Sequence, residues 1–310
     1  MEFIKGVTFA PFAPKGSFRC EDAFHSLNEL KEKTNANFII LVPNGLQETA
    51  QSEDISYTTD ATMSDEELIE MIAYAHKLGL RVALKPTVNC KNGTWRAHIN
   101  FFDHDVHCEP KWCNWFKSYT DFQLHYAKIA QNTHCEMFIA GCEMVMSERR
   151  SDEWRHLITC LRSVYTGYIS YNTDKYQEDH VTWWDCVDVI SASGYYPLQD
   201  WEQELDRIEA VVHTYNKPFF FAECGCMSTA GSSHVPNDWT LAGDVDLAEQ
   251  ERWYTTMFEA CRRRSWVEGF ALWDWSIKKY PECKAKYNGG YDIYAKPAQD
   301  VVRKYYSLLP

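Results

Sequence analysis

The chain has 310 residues, 45% of them hydrophobic and 24% charged, with a formal net charge of −13. That balance is the balance of a globular protein, and the acidic excess argues against a nucleic-acid partner, whose phosphates need a basic patch. No stretch approaches the roughly 18 apolar residues of a membrane span. Aromatics reach 15%, with 12 Trp and 18 Tyr, which fits either a large core or a groove of flat rings able to stack on sugars.

The chain opens on "MEFIKGVTFAPFAP", which lacks the basic start and apolar core of an export signal. A first strand is predicted over Phe3–Ala10 and a second over Ala36–Pro43. Between the second and third strands lies the clearest helix, "SDEELIEMIAYAHKLG". Ser64 and Glu67 form a capping box there, Leu68, Met71, Ile72 and Ala75 make one apolar stripe, and Gly79 ends it.

The third strand, Arg81–Asn89, carries Lys85 and Asn89, two polar side chains in an otherwise apolar run. A long loop follows, containing Trp95 and the sequence "FFDHDVH". His104, Asp105 and His107 in that stretch have the residue types of a metal site without its defined spacing, so polar loop residues are the better reading. The fourth strand, Met137–Met144, ends on Glu143, and the fifth, Gly167–Asp174, holds Asn172.

The sixth strand, Asp188–Tyr196, closes with the phenols Tyr195 and Tyr196. The seventh, Pro218–Cys226, is the run "FFFAECGC", in which a strand buried on both faces turns abruptly into Glu223. A buried carboxylate is costly without a partner, so Glu223 needs a neutralising neighbour or a chemical task. Cys224 and Cys226 beside it are a lone CxC, read as small buried hydrophobes. The eighth strand, Val267–Ser276, brings Trp273 near its end.

Strands alternating with amphipathic helices are the pattern of parallel βαβ units, and eight in about 300 residues predict an α/β fold closed as a (β/α)₈ barrel. No linker or low-complexity segment divides it, so one domain over residues 1–310 is expected. Connections from strand to helix are long after the second, third, seventh and eighth strands, which places the working face at the strands' C-terminal ends. Glu143 and Glu223 then face each other across the barrel mouth. At about 5 Å apart such a pair can divide nucleophilic attack and proton transfer at a glycosidic bond, and a wider gap implies inversion instead. The plain alternative is two rim ion pairs with Lys or Arg.

The stretches "KGVTFAPF", "LKPTVN", "TWRAHINF…WFKSY", "GCEM", "FFFAECG", "ALWDWS" and "KPAQDVV" together resemble glycoside hydrolase family 113, within clan A of retaining barrel enzymes. The resemblance implies Glu143 as acid/base and Glu223 as nucleophile, acting on β-1,4-mannosidic bonds without metal or organic cofactor. The other strand ends are read as a polar and aromatic ring that binds substrate, Trp273, Tyr196, Asn172, Lys85 and Asn89, joined by Trp95 of the long third loop, with Tyr196 orienting Glu223 and Trp273 supporting the sugar. Two positions leave the clan pattern: Cys142 stands where many members have Asn, and Thr87 where related mannanases have His. A thiol is a poor hydrogen-bonding group, so contact with the sugar 2-hydroxyl is expected from Asn172 or Lys85.

The expected partner is a β-linked oligo- or polysaccharide, with no nucleic acid and no membrane. The same machinery on a xylan- or glucan-type oligosaccharide, or a non-catalytic carbohydrate-binding barrel, are the competing readings. Twelve cysteines with no CxxC pair and no export signal suggest free thiols in a reducing cytoplasm.

Overall fold

Eight parallel strands close into a barrel in the computed structural model, which describes residues 1–310. They are β1 (Ile4–Phe9), β2 (Phe38–Leu41), β3 (Arg81–Leu84), β4 (Met137–Cys142), β5 (Tyr168–Thr173), β6 (Val189–Gly194), β7 (Phe219–Cys224) and β8 (Val267–Trp275). Each pairs with the next in chain order, and β1 against β8 completes the ring. The expected (β/α)₈ architecture is therefore the observed one.

Outside the ring run α1 (Glu21–Thr34), α2 (Asp65–Lys77), α3 (Trp112–Asn132), α4 (Ser151–Arg162), α5 (Trp201–Tyr215), α6 (Leu247–Cys261) and α7 (Pro297–Leu308). In the fifth unit a 3₁₀ turn, Trp184–Cys186, occupies the place of a helix. Large rings do the covering there: Trp183 stacks on Trp154 of α4 with centroids 4.9 Å apart, and Trp183 and Trp184 are both fully buried. The capping box of α2 forms as the sequence predicts, with the Ser64 hydroxyl accepting from the Glu67 N–H and the Glu67 carboxylate from the Ser64 N–H.

The third predicted strand is broken. Arg81–Leu84 belongs to the barrel, whereas Thr87–Cys90 leaves it and pairs with Asn44–Gln47 in a separate two-stranded ribbon. Pro43 and Pro86 sit at the two breaks, and a residue with no N–H cannot continue a ladder on that side. Thr87 leads the ribbon by donating its N–H to the Pro43 carbonyl at 2.9 Å. Its hydroxyl turns back to the Lys85 carbonyl at 3.0 Å.

The lower barrel interior is packed with Ile4, Phe38, Ile40, Met137, Ile139, Phe220 and small alanines at 83, 222 and 271. Large rings and alanines together fill a space that taper would otherwise leave uneven. Above this apolar plug the inward positions become polar: Lys85, Asn172, Ser191, Ser193 and Glu223. That change of chemistry sets the floor of the mouth.

Candidate active site

In a regular strand successive side chains point to opposite faces, so two adjacent residues cannot both face the barrel interior. Two strands break this rule, and each break supplies a carboxylate. In β7, Phe221 pairs with Ala192 while Glu223 pairs with the very next residue of β6, Ser193, so β7 holds one residue more than its neighbour. The same surplus shows against β8, where Phe221 and Cys224 face Phe270 and Leu272. This bulge puts Glu223 on the inner face directly after inward-facing Ala222.

In β4 the surplus lies between Ile139 and Cys142, which face Ser170 and Asn172. Gly141 takes φ +154° there, and a Cβ on it would come within 2.7 Å of the Tyr119 hydroxyl. The bulge turns Cys142 inward. Glu143 then adopts a left-handed backbone, φ +54°, so its side chain also swings into the mouth. For a residue other than glycine that conformation costs on the order of 1–3 kcal/mol and is found where a structure holds it in place.

The result is a tight group. Cys142 Sγ and one oxygen each from Glu143 and Glu223 all lie within 4.8 Å of one another. Glu223 Oε1 receives Lys85 Nζ at 2.5 Å and Cys142 Sγ at 3.2 Å, and Oε2 receives the Tyr195 hydroxyl at 3.1 Å. Burial alone raises the Glu223 pKa, but the Lys85 ammonium, with help from Arg96 and the Cys142 thiol, outweighs it and holds the carboxyl below the usual range. Glu143 accepts from Ser193 Oγ at 2.8 Å on Oε1, and from Arg96 Nη1 at 3.0 Å and Trp95 Nε1 at 3.2 Å on Oε2. Thiol and carboxylates are possible metal donors, yet Lys85 and Arg96 already bring two positive charges to them, which disfavours a cation.

Both carboxylates open onto a cavity of about 700 Å³ at the C-terminal end of the barrel, large enough for several sugar rings. Trp273 and Trp95 line it, as does Asn89, which is locked by Arg96 Nη2 at 3.0 Å and by its own bond to Asn44 at 2.8 Å.

The family model for glycoside hydrolase family 113 matches residues 7–296. The chain belongs to glycoside hydrolase family 113. Two solved structures of family 113 β-1,4-mannanases, one of them a complex, are each 54% identical to this hydrolase, with a TM-score of 0.98 and 99% of both chains covered. A family 113 β-mannanase from Alicyclobacillus acidocaldarius in complex with ManMIm is 41% identical, with a TM-score of 0.96, covering 99% of this chain and 98% of that one. A β-D-glucuronidase for Dictyoglomus thermophilum, 15% identical with a TM-score of 0.68, shares the fold alone. No curated protein sequence matches.

Three sequence expectations for this family 113 hydrolase need correction. Tyr196 does not touch Glu223. Its hydroxyl bonds Glu178, and its ring packs outside the barrel against Trp201 and Phe221. Inward Val189, Ser191 and Ser193 continue by simple alternation to Tyr195, which is the phenol on Glu223. Asn172 does not open onto the cavity: it is fully buried, with Nδ2 on Ser193 Oγ at 3.0 Å and Oδ1 accepting from Lys85 at 3.2 Å. Lys85, also fully buried, lies beneath Glu223 and is its counter-ion rather than a sugar ligand. Neither can take over a 2-hydroxyl contact from position 142.

Some site residues were not singled out from the sequence. Arg96 is the cation on Glu143, and it stands next to Trp95 in a loop whose reach across the mouth no local pattern displays. Asp174, at the end of "YNTD", lines the cavity beside Lys175 Nζ at 3.4 Å. Burial first, then the charge of Glu143, pushes the Asp174 carboxyl up to about 7 against the pull of Lys175. His104 and His107 lie exposed on the surface, and Asp105 pairs with Lys111 at 3.1 Å.

The two tyrosines separate cleanly by mutation. Tyr195→Phe removes a hydrogen bond to a charged group, worth roughly 1.5–3 kcal/mol, and is expected to lower kcat about tenfold or more. Tyr196→Phe leaves kcat within about twofold but lowers the denaturant midpoint, since it strips a donor from buried Glu178. Equal loss of kcat in both variants contradicts this assignment.

Proposed function

We propose that this hydrolase cleaves β-1,4-mannosidic bonds in manno-oligosaccharides or mannan with retention of configuration, using Glu223 as nucleophile and Glu143 as acid/base. The observation that carries the mechanism is that one oxygen of Glu143 lies within 4.8 Å of one oxygen of Glu223, too close for a water to be placed between them for inversion. Retaining pairs stand about 5–5.5 Å apart, whereas inverting pairs need roughly 6.5–9.5 Å to admit a water. The mannan substrate rests on the β-1,4-mannanases that share 54% identity over 99% of the chain.

In the first step Glu223 Oε2 or Oε1 attacks the anomeric carbon from the α face while the bond to the leaving oxygen breaks. Glu143 gives its proton to that oxygen, so a neutral hydroxyl departs and a covalent glycosyl ester remains. In the second step Glu143, now ionised, takes a proton from water, whose oxygen attacks the anomeric carbon and releases Glu223. Lys85 and Tyr195 hold the Glu223 carboxylate oriented for attack and stabilise it again as it leaves. Arg96, Trp95 and Ser193 all donate to Glu143 and fix the direction of its carboxyl group in the mouth. Trp273 offers a flat face at the cavity wall for a sugar ring.

A reducing cytoplasm is the location this reading favours, because all twelve cysteines are free and Cys142 works as a thiol against Glu223. No helix is long and apolar enough to cross a membrane. A short imported oligosaccharide is then the natural substrate.

Incubation with manno-, xylo- and gluco-oligosaccharides, with products followed by NMR from the first minutes, tests the reading. Cleavage of the manno series with the β-anomer appearing first is the expected result. An α-anomer appearing first overturns retention, and preferred cleavage of the xylo or gluco series overturns the substrate.

A further inference from the structure

Outside the cavity, behind the acid/base residue, a buried polar chain has no evident part in the reaction. The left-handed turn at Glu143 presents two successive N–H groups to β5. The Glu143 N–H donates to the Asn172 carbonyl at 2.8 Å, and the Met144 N–H donates to the Tyr171 hydroxyl at 3.1 Å. The Tyr171 hydroxyl donates onward to Glu148 Oε1 at 2.7 Å, which also accepts from Thr173 Oγ1 at 2.6 Å. Glu148 follows the 3₁₀ turn Val145–Ser147, so the chain returns to brace the point from which it turned.

Glu148 is 3% exposed, has no cation against it, and its Oε2 atom has no partner. Burial, reinforced by Asp174 and Glu178 nearby, pushes its carboxyl up to about 8 despite the bonds from Thr173 and Tyr171. A neutral acid fits this geometry better than an ion: Oε1 accepts two bonds, and no cation stands against the carboxyl group. The Tyr171 ring packs against Trp154 and Trp183 at 4.8 and 4.9 Å, contacts that phenylalanine would make equally well. Only the hydroxyl is left over from packing, and it is spent on the peptide next to Glu143.

We propose that Tyr171 and Glu148 are positioning residues for Glu143: the hydroxyl-to-carboxyl chain pins the 143–144 peptide in its left-handed turn and so keeps the Glu143 carboxyl in the mouth. This rests on the reading of Glu143 as acid/base. Without the pin, relaxation toward extended backbone carries the side chain outward, to the face that ordinary strand alternation assigns it.

The test compares two substrates of one sugar, a manno-oligosaccharide that needs a proton on its leaving oxygen and the corresponding dinitrophenyl β-mannoside that does not. Tyr171→Phe is expected to lower kcat/KM on the oligosaccharide about tenfold and on the dinitrophenyl glycoside by less than about twofold. Glu148→Leu is expected to behave likewise, and Glu148→Gln, which keeps an oxygen for Tyr171, to recover most of the loss. A purely structural role lowers both substrates together, or neither, and that result overturns the proposal. Glu143→Ala measured in parallel separates the layers. If it shows the leaving-group dependence and Tyr171→Phe does not, the positioning role alone falls. If Glu143→Ala itself shows none, the acid/base reading falls and the positioning role with it.

Discussion

Glu223→Ala is expected to bring oligosaccharide turnover to background, a loss of roughly 10⁴-fold or more in kcat, which is over about 5 kcal/mol at the transition state. On the proposed mechanism the variant loses the atom that forms the covalent intermediate. It also strips Lys85 of its partner in a fully buried position. Breaking a buried pair by removing one member costs about 3–5 kcal/mol of stability, so folding must be checked by denaturant titration alongside activity. The bonds from Lys85 Nζ to Asn172 Oδ1 at 3.2 Å and the Ala222 carbonyl at 3.4 Å remain and soften that loss.

The vacated space beside an unpaired ammonium suits a small anion. Azide added to Glu223→Ala with a dinitrophenyl β-mannoside is therefore expected to restore turnover and to yield the α-glycosyl azide. A β-configured azide product, or wild-type-like activity without azide, rules Glu223 out as nucleophile.

Glu143→Ala is expected to lower kcat/KM on manno-oligosaccharides by about 10²–10⁴, the usual range for a positioned proton donor. On the dinitrophenyl glycoside kcat/KM stays within about tenfold, because that leaving group departs without a proton. Its kcat still falls, and KM falls with it, since the glycosyl ester accumulates once water has no base to activate it. The diagnostic product with azide is here the β-glycosyl azide, opposite to that from Glu223→Ala. Equal losses in kcat/KM on both substrates refute the assignment.

The proposed catalytic pair was legible because each member follows an apolar run with no polar residue between, and the barrel reading put both at one rim. Trp273 was legible for the same reason, and Trp95 through the long loop that follows the third strand. What the one-dimensional pattern could not display was depth and direction. Lys85 shares a face with Ala83, so its inward aim was readable, but whether it meets sugar or carboxylate depends on how strands are staggered around the barrel. Tyr196 was preferred over Tyr195 although alternation from Ser191 and Ser193 favoured the other. Pro86 inside "LKPTVN" was a readable break in the third strand, and the ribbon it starts carries Asn89 to the cavity rim. Arg96 reaches Glu143 across 47 residues of sequence, a contact that only the closed ring brings together.

The surplus residue in β7 puts two consecutive side chains, Ala222 and Glu223, on the inner face, whereas in β4 it turns Cys142 inward and leaves Glu143 to its own backbone. Point substitution at Ala222 or Ala140 changes packing but leaves Glu223 and Glu143 on the inner face. Deleting Ala222 would restore simple alternation, Phe221 out and Glu223 in, and so would keep that carboxylate facing the mouth while removing the alanine packed beneath it. The aim of Glu223 therefore survives loss of its bulge, whereas that of Glu143 depends on its own left-handed backbone. A transplant of the site into another eight-stranded scaffold can leave the β7 surplus behind but must reproduce the left-handed turn at Glu143.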